Sequence, residues 1–185
     1  IIPYSDMGLE VLLKQIAGIG YPAIEIWGRD EGFDGLCHTA FRHGLQVVSM
    51  IGHTSLPDGL NNPDNHNRIE DELKSSIDIA VDKGMTGLIC FSGNRINGME
   101  EGEAIANTVA GLRRVAPYAE AHGINLNLEL LNSKRDHKGY QCDHTAWGLE
   151  VVLQVNCPRV KLLYDIYHMQ IMEGDVIRTM LDNLH

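Results

Sequence analysis

Short apolar runs recur along the chain, each close after a glycine or a proline, and they predict five strands. The runs hold five to seven residues and are rich in branched side chains, as are strands buried on both faces of a parallel sheet. A glycine just past a helix end caps that helix, because it takes the left-handed backbone conformation without a Cβ clash. The predicted strands span residues 23–27, 45–51, 87–91, 124–130 and 160–166.

Between these runs, apolar residues recur every three or four positions, which predicts amphipathic helices. Pro117 should bend or break the third of them, since proline lacks the N–H that a helix interior needs. The stretch 57–67 is rich in Asn, Pro, Asp and Gly, which is typical of one long loop. The four apolar stripes are Leu9, Leu12, Leu13 and Ile16; Ile69, Leu73, Ile77 and Val81; Ile105, Val109, Leu112 and Ala116; and Leu149, Val152 and Leu153.

Strands that alternate with helices pair in parallel through right-handed crossovers, so the pattern predicts an α/β fold. An open doubly wound sheet and a closed barrel both satisfy it. Neither G-x-G-x-x-G nor G-x-x-x-x-G-K-[ST] follows the first predicted strand, which disfavours a nucleotide-binding protein. The 185 residues contain no linker or low-complexity segment, so we expect a single domain.

The composition excludes some classes of binding partner. The net charge is −10 without a Lys/Arg cluster, which argues against nucleic acid, because basic groups supply most of the affinity for phosphates. No stretch approaches the roughly 18 apolar residues of a membrane span, so no membrane partner is expected. The four cysteines are scattered and form no C-x-x-C pair, which favours reduced thiols and a cytoplasmic protein.

Acidic side chains interrupt two predicted strands near their C-terminal ends. Successive strand residues point to opposite faces, so Glu129 shares a face with Asn125 and Asn127, and Asp165 shares one with Leu163. A buried carboxylate is costly unless a cation accompanies it, and polar groups at this end of a barrel strand lie where active sites form. The two carboxylates are therefore either ligands of one divalent cation, Mg2+ or Mn2+, or members of buried salt bridges with Lys or Arg.

Three other polar residues lie at similar positions. Glu25 interrupts the first predicted strand, His53 directly follows the second, and His168 follows the fifth. A structural role is the alternative for each of them, as a salt-bridge partner, a helix-end partner or a solvated surface residue.

Two stretches of the chain resemble the hydroxypyruvate isomerase family of the xylose isomerase-like superfamily. ELLNS at 129–133 and DHKGY at 136–140 are similar to its fifth strand and loop, and LYDIYHMQIMEGD at 163–175 to its sixth. Residues 23–27, 49–53 and 91–95 resemble its second, third and fourth strands more weakly, so the resemblance covers nearly the whole chain in order.

This resemblance implies an incomplete (β/α)8 TIM barrel. Strands two to six are present, Ile1 and Ile2 are a remnant of strand one, and strands seven and eight, which supply a third metal ligand and a second catalytic glutamate, are absent. A complete barrel has about 250 residues, so we expect residues 1–185 to be one domain truncated at both ends. Exposed sheet edges would favour a homo-oligomer.

The resemblance also implies roles for individual residues. Glu129 resembles the glutamate that binds the metal and moves a proton, Asp165 the aspartate that binds the same metal, and His168 a histidine that contacts substrate oxygens. The other expected substrate-binding residues are His53, Glu25, Asn94, Arg95, Lys138 and Tyr140.

The implied reaction is metal-assisted proton transfer between adjacent carbons through an enediolate. Interconversion of hydroxypyruvate and tartronate semialdehyde is the first reaction to expect, and family relatives epimerise ketohexoses or dehydrate inososes. Two other classes stay open. One is an abasic-site endonuclease of the same superfamily, which the net charge of −10 disfavours. The other is a non-catalytic, truncated homologue that binds a partner.

Overall fold

Five parallel strands form one sheet in the order in which they occur along the chain. The computed structural model describes residues 7–183. The strands are β1 (Ala23–Ile26), β2 (Gln46–Ile51), β3 (Gly87–Cys90), β4 (Asn125–Glu129) and β5 (Val160–Leu163). Each predicted strand is present, which confirms the α/β fold and the parallel pairing.

Helices connect the consecutive strands, as parallel neighbours require. A left-handed Gly20 ends the first helix and a left-handed Gly123 ends the fourth, as the sequence pattern predicts. The helices are α1 (Leu9–Ile19), α2 (Phe33–Arg42), α3 (His66–Asp82), α4 (Glu101–His122), α5 (Thr145–Val155), α6 (Ile166–Met172) and α7 (Val176–Asp182).

Several predicted boundaries and faces are wrong in detail. The fourth predicted stripe is wrong at Leu153, which is 74% exposed, although Val152 packs against the core; α5 mainly buries Trp147, Val151 and Val155. The predicted loop 57–67 contains a 3-10 turn at Pro63–Asn65 and already overlaps the start of α3.

Helix α4 continues through Pro117 without a break. Pro117 and Arg113, whose carbonyl loses its helical partner, both lie on the exposed side of the helix. Water can therefore replace the missing backbone hydrogen bond. The predicted strand-one remnant, Ile1 and Ile2, lies outside the described residues.

The apolar core lies between the sheet and helices α3, α4 and α5. On β4, Leu126 and Leu128 are fully buried in this core. Gly148 of α5 lies so close to the sheet that a Cβ there would come within 2.8 Å of Leu162 and 3.2 Å of Leu130. Because these leucines face the helices, Glu129 and its register partner Leu163 face the opposite side of the sheet.

Strand β5 ends at Leu163 and not at the predicted residue 166. The reason is Asp165, whose carboxylate accepts a hydrogen bond from the His168 backbone N–H at 3.1 Å and so caps the N-terminus of α6. Among the residues the structure describes, none of the helices is long and apolar enough to cross a membrane.

Candidate metal centre

Three potential ligands converge at the C-terminal ends of β4 and β5. Glu129, Asp165 and His168 each offer an atom within 4.8 Å of the atoms offered by the other two. Glu129 is the last residue of β4, and Asp165 lies two residues beyond β5, which pairs with β4 in parallel. Parallel neighbours end at the same edge of the sheet, so their terminal side chains meet there.

Capping by Asp165 also sets the place of His168. The cap begins α6, and the third helical residue of a first turn lies above the capping side chain. The His168 ring therefore reaches the same carboxylate, with 3.9 Å between Nε2 and Oδ2 of Asp165. One local motif, a capped helix start, brings two of the three groups together.

Glu129 is buried without a basic partner. Its residue surface is 9% exposed, and within residues 7–183 the ion pairs include no Lys or Arg at Glu129 or Asp165. Burial, together with the nearby charges of Asp165 and Glu25, raises the pKa of Glu129 to about 8. The salt-bridge alternative therefore has no partner among the described residues.

A cavity of about 140 Å3 lies beside these groups and includes Glu25 in its wall. Glu25 accepts a hydrogen bond from the Ser49 hydroxyl at 2.5 Å. The remaining wall is apolar and is formed by Ile26, Trp27, Ile51, Ile89, Phe91 and Leu163. Three carboxylates around one small cavity provide hard oxygen donors, which fit Mg2+ or Mn2+.

His168 is held by groups that the sequence did not single out. Its Nδ1 lies 2.6 Å from the Asn132 amide nitrogen, and the rings of His137 and Tyr167 pack edge-on against it. Burial lowers the pKa of His168, whereas the charge of Asp165 opposes this shift. Asn132 stands three residues after Glu129, and that spacing in a loop carries no chemical signal.

His53 is buried and uses both ring nitrogens in the protein interior. Nε2 accepts the Phe91 backbone N–H at 2.9 Å, and Nδ1 lies 3.2 Å from the carbonyl oxygen of Thr54. Burial lowers the pKa of His53 to about 4, so the ring is neutral at neutral pH. The ring also lines a second cavity, of about 360 Å3, that shares Trp27 with the first.

Tyr140 and Arg95 tie the loops after β3 and β4 together. The fully buried Tyr140 hydroxyl accepts the Ser92 N–H at 3.1 Å and donates to the Glu129 carbonyl at 2.9 Å. Arg95 donates to both carboxylate oxygens of Asp143 at 3.1 Å and to the Tyr140 carbonyl.

The Asp143 carboxyl is an ionised member of this network. Burial alone would raise its pKa, but hydrogen bonds from Arg95, Ser133 and His144 outweigh burial and hold the pKa below its usual value.

Two other expected substrate-binding residues lie in the same loops. Asn94 forms an isolated antiparallel bridge with Tyr140, and Lys138 is exposed. Substrate contact by Asn94 and Lys138 stays a prediction. The loop after β3 also packs closely against Gly59, since a Cβ there would lie 2.2 Å from the Gly93 nitrogen.

A family model described as xylose isomerase-like TIM barrel matches residues 13–185. Among curated relatives, hydroxypyruvate isomerase of Escherichia coli (strain K12) is 30% identical over 118 residues, which is 64% of this chain and 45% of that protein. L-ribulose 3-epimerase of Methylomonas sp. (strain DH-1) is 31% identical over 115 residues, 59% of this chain and 38% of that protein. The chain thus spans less than half the length of these relatives.

Solved structures give the same picture of the fold. D-allulose 3-epimerase from Methylomonas sp. in complex with D-allulose superposes with a TM-score of 0.73 at 25% identity, covering 97% of this chain and 64% of that one. An AP endonuclease of family 2 from Brucella melitensis gives a TM-score of 0.82 at 21% identity, with 97% and 71% covered. At that identity the second likeness shows the fold alone.

Proposed function

The chain belongs to the xylose isomerase-like TIM barrel family, and we propose that it supplies metal-binding and proton-transfer groups of a divalent-metal-dependent isomerase. One observation carries the proposal. Glu129 ends β4, Asp165 follows the neighbouring strand β5, and the two carboxylates meet at one edge of the sheet with no basic partner among the described residues.

In this proposal Glu129 moves the proton between adjacent substrate carbons. A carboxyl whose pKa is raised to about 8 by burial and neighbouring charge holds a proton more tightly than a surface glutamate does. It is therefore a stronger base when ionised, which suits abstraction from a weakly acidic C–H bond. A bound Mg2+ or Mn2+ would supply charge that acidifies this C–H bond and stabilises the resulting enediolate.

Asp165 and His168 position the substrate around that step. The Asp165 carboxylate offers oxygens to the cation, and His168 offers a ring N–H to a substrate oxygen. Glu25 and the apolar wall, which includes Trp27, enclose a cavity of about 140 Å3, a space that suits a small polyhydroxylated molecule.

Hydroxypyruvate, with tartronate semialdehyde as product, is the substrate we propose first. Hydroxypyruvate isomerase is among the matched relatives, at 30% identity. Ketose 3-epimerases match at similar identity, so 3-epimerisation of a ketose is the second candidate. Dehydration of an inosose is the third, with the same metal core.

The test is incorporation of deuterium from D2O into hydroxypyruvate and into ketohexoses, followed by NMR with Mg2+ present. We expect exchange with the wild type and with the surface control Glu120→Gln, and a loss of at least 100-fold with Glu129→Gln. Exchange that is unchanged in Glu129→Gln would refute the role of this residue. No exchange by any variant, together with no stabilisation by Mn2+, would favour the non-catalytic alternative.

We also propose a cytosolic protein that does not bind nucleic acid and that self-associates. The four cysteines are free thiols, and the charge is −10. Strands β1 and β5 are the edges of the described sheet, and such edges pair readily with another chain. Light scattering tests the association, and an electrophoretic shift assay at low salt tests the nucleic-acid exclusion.

A further inference from the structure

The side chain of Asn132 is held in one orientation by the backbone of its own loop. Its Oδ1 accepts hydrogen bonds from the backbone N–H groups of Arg135 at 3.1 Å and Asp136 at 2.9 Å. Turning the amide by 180° would place its NH2 group against two N–H donors, with no exposed surface to reach water instead. Nδ2 is therefore the atom that faces away from the loop backbone.

This nitrogen is a donor only, and it has two partners. Nδ2 lies 2.7 Å from the Asp136 carboxylate and 2.6 Å from Nδ1 of His168. An amide nitrogen cannot accept a hydrogen bond, so Nδ1 of His168 must present its lone pair. In a neutral imidazole the single proton then lies on Nε2.

The surroundings keep the ring in this orientation. The His137 and Tyr167 rings flank His168 with centroid distances of 5.2 and 5.1 Å. A ring flip would replace Nδ1 by a carbon and leave a buried Asn132 N–H without a partner. Tyr167 also donates to Asp136 at 2.8 Å, which holds in place the carboxylate that orients Asn132.

We propose that Asn132 is a positioning residue that fixes His168 as the Nε2–H tautomer, so that His168 is a hydrogen-bond donor at the site and not a metal ligand. Nε2 lies 3.9 Å from Oδ2 of Asp165 and then carries a proton where a cation would need a lone pair. Glu129 and Asp165 then hold the cation alone among the three converging residues. The importance of the tautomer for catalysis rests on the proposed isomerase function, whereas the tautomer itself does not.

The experiment is two-dimensional 1H–15N NMR of the histidine ring nitrogens in metal-free protein at pH 8, above the ordinary imidazole pKa of about 6.5. His168→Gln identifies the His168 signals by their loss. We expect Nδ1 at the shift of an unprotonated ring nitrogen and Nε2 at that of a protonated one. The opposite assignment in the wild type would overturn the proposal.

A side-chain exchange tests the cause. The double variant Asn132→Asp/Asp136→Asn keeps one carboxylate and one amide in the pair but places an acceptor opposite Nδ1. We expect the proton to move to Nδ1, and the freed Nε2 lone pair to bind Mn2+ at least as tightly as in the wild type. In the matched control Tyr167→Phe, the Asn132 donor remains and the tautomer should not change. An unchanged tautomer in a folded double variant would show that Asn132 does not set it.

Activity separates this inference from the proposed function. If both hold, the double variant loses at least tenfold in kcat for deuterium exchange while Mn2+ affinity is retained. The expected tautomer in a protein without exchange activity would refute the isomerase and leave the positioning role of Asn132. Full exchange activity in a wild-type protein that has its proton on Nδ1 would refute the positioning role of Asn132 and leave the proposed isomerase.

Discussion

Replacing Glu129 by glutamine should stabilise the metal-free protein at alkaline pH. The carboxyl has its pKa raised from 4.5 to about 8 by burial, Asp165 and Glu25. At 1.36 kcal/mol per pH unit, the ionised form costs the folded state on the order of 5 kcal/mol relative to the unfolded chain. This is a large part of the 5–15 kcal/mol that stabilises an ordinary domain.

The direction of this pH dependence follows from the order in which the unfolded and folded states lose the proton of this carboxyl group. As the pH rises, the unfolded carboxyl at position 129 loses its proton first, because its pKa is the lower one. Stability is therefore full below pH 4.5 and falls steadily until about pH 8. Glu129→Gln has no proton to lose, so its advantage over the wild type should grow across this window.

Urea unfolding followed by circular dichroism, in EDTA between pH 5 and pH 9, measures the difference. Glu120→Gln, on the exposed face of α4, is the control and should follow the wild type. Wild-type and Glu129→Gln curves that stay parallel within about 1 kcal/mol would refute the claim that an unpaired carboxyl is buried there. Saturating Mg2+ at pH 8 should restore the wild type but leave Glu129→Gln unchanged.

Three further predictions concern the groups around the site. Asp165→Asn should weaken Mn2+ binding at least tenfold in calorimetry while far-UV circular dichroism stays constant, because asparagine caps a helix as well as aspartate does. Gly59→Ala should lower the free energy of unfolding by about 3 kcal/mol, since its Cβ would lie 2.2 Å from a backbone nitrogen. The matched control Gly102→Ala, which has open space around it in a helix, should raise the free energy of unfolding by about 0.5–1 kcal/mol. Arg95→Met should cost about 1–3 kcal/mol at pH 7 in urea unfolding, because Asp143 stays buried with fewer donors, and the cost should shrink as the pH falls and Asp143 protonates; a constant cost would contradict this reasoning.

The strand order and the meeting of Glu129 with Asp165 could be predicted from the sequence because they depend on short-range signals. A glycine after each of the first four helices, or a proline after the fifth, is followed by an apolar run, and this order fixes where the strands lie. Parallel topology then brings their ends to one edge. An acidic residue at such an end stands out against leucine neighbours.

The side chains that hold these residues in place, and the faces of the helices, could not be predicted in the same way. Asn132 acts on His168 through a loop whose path depends on backbone N–H groups at Arg135 and Asp136. Leu153 fits the helical period but faces outward, since periodicity gives the spacing of a face and not its direction. Asp165 was assigned to a strand because its capping role requires knowing that a helix begins at the next residue.

Asp165, one proposed ligand of the cation, follows β5 by two residues, and β5 is the last strand of the described sheet. Local opening of β5 would displace Asp165 and weaken its coordination of the ion. The rate of metal release should therefore be limited by this opening and not by diffusion alone. The amide protons of β4 and β5 should then exchange with solvent more slowly once the cation is bound, with little change in β1. Slower exchange of these amide protons would then report that the metal site is occupied.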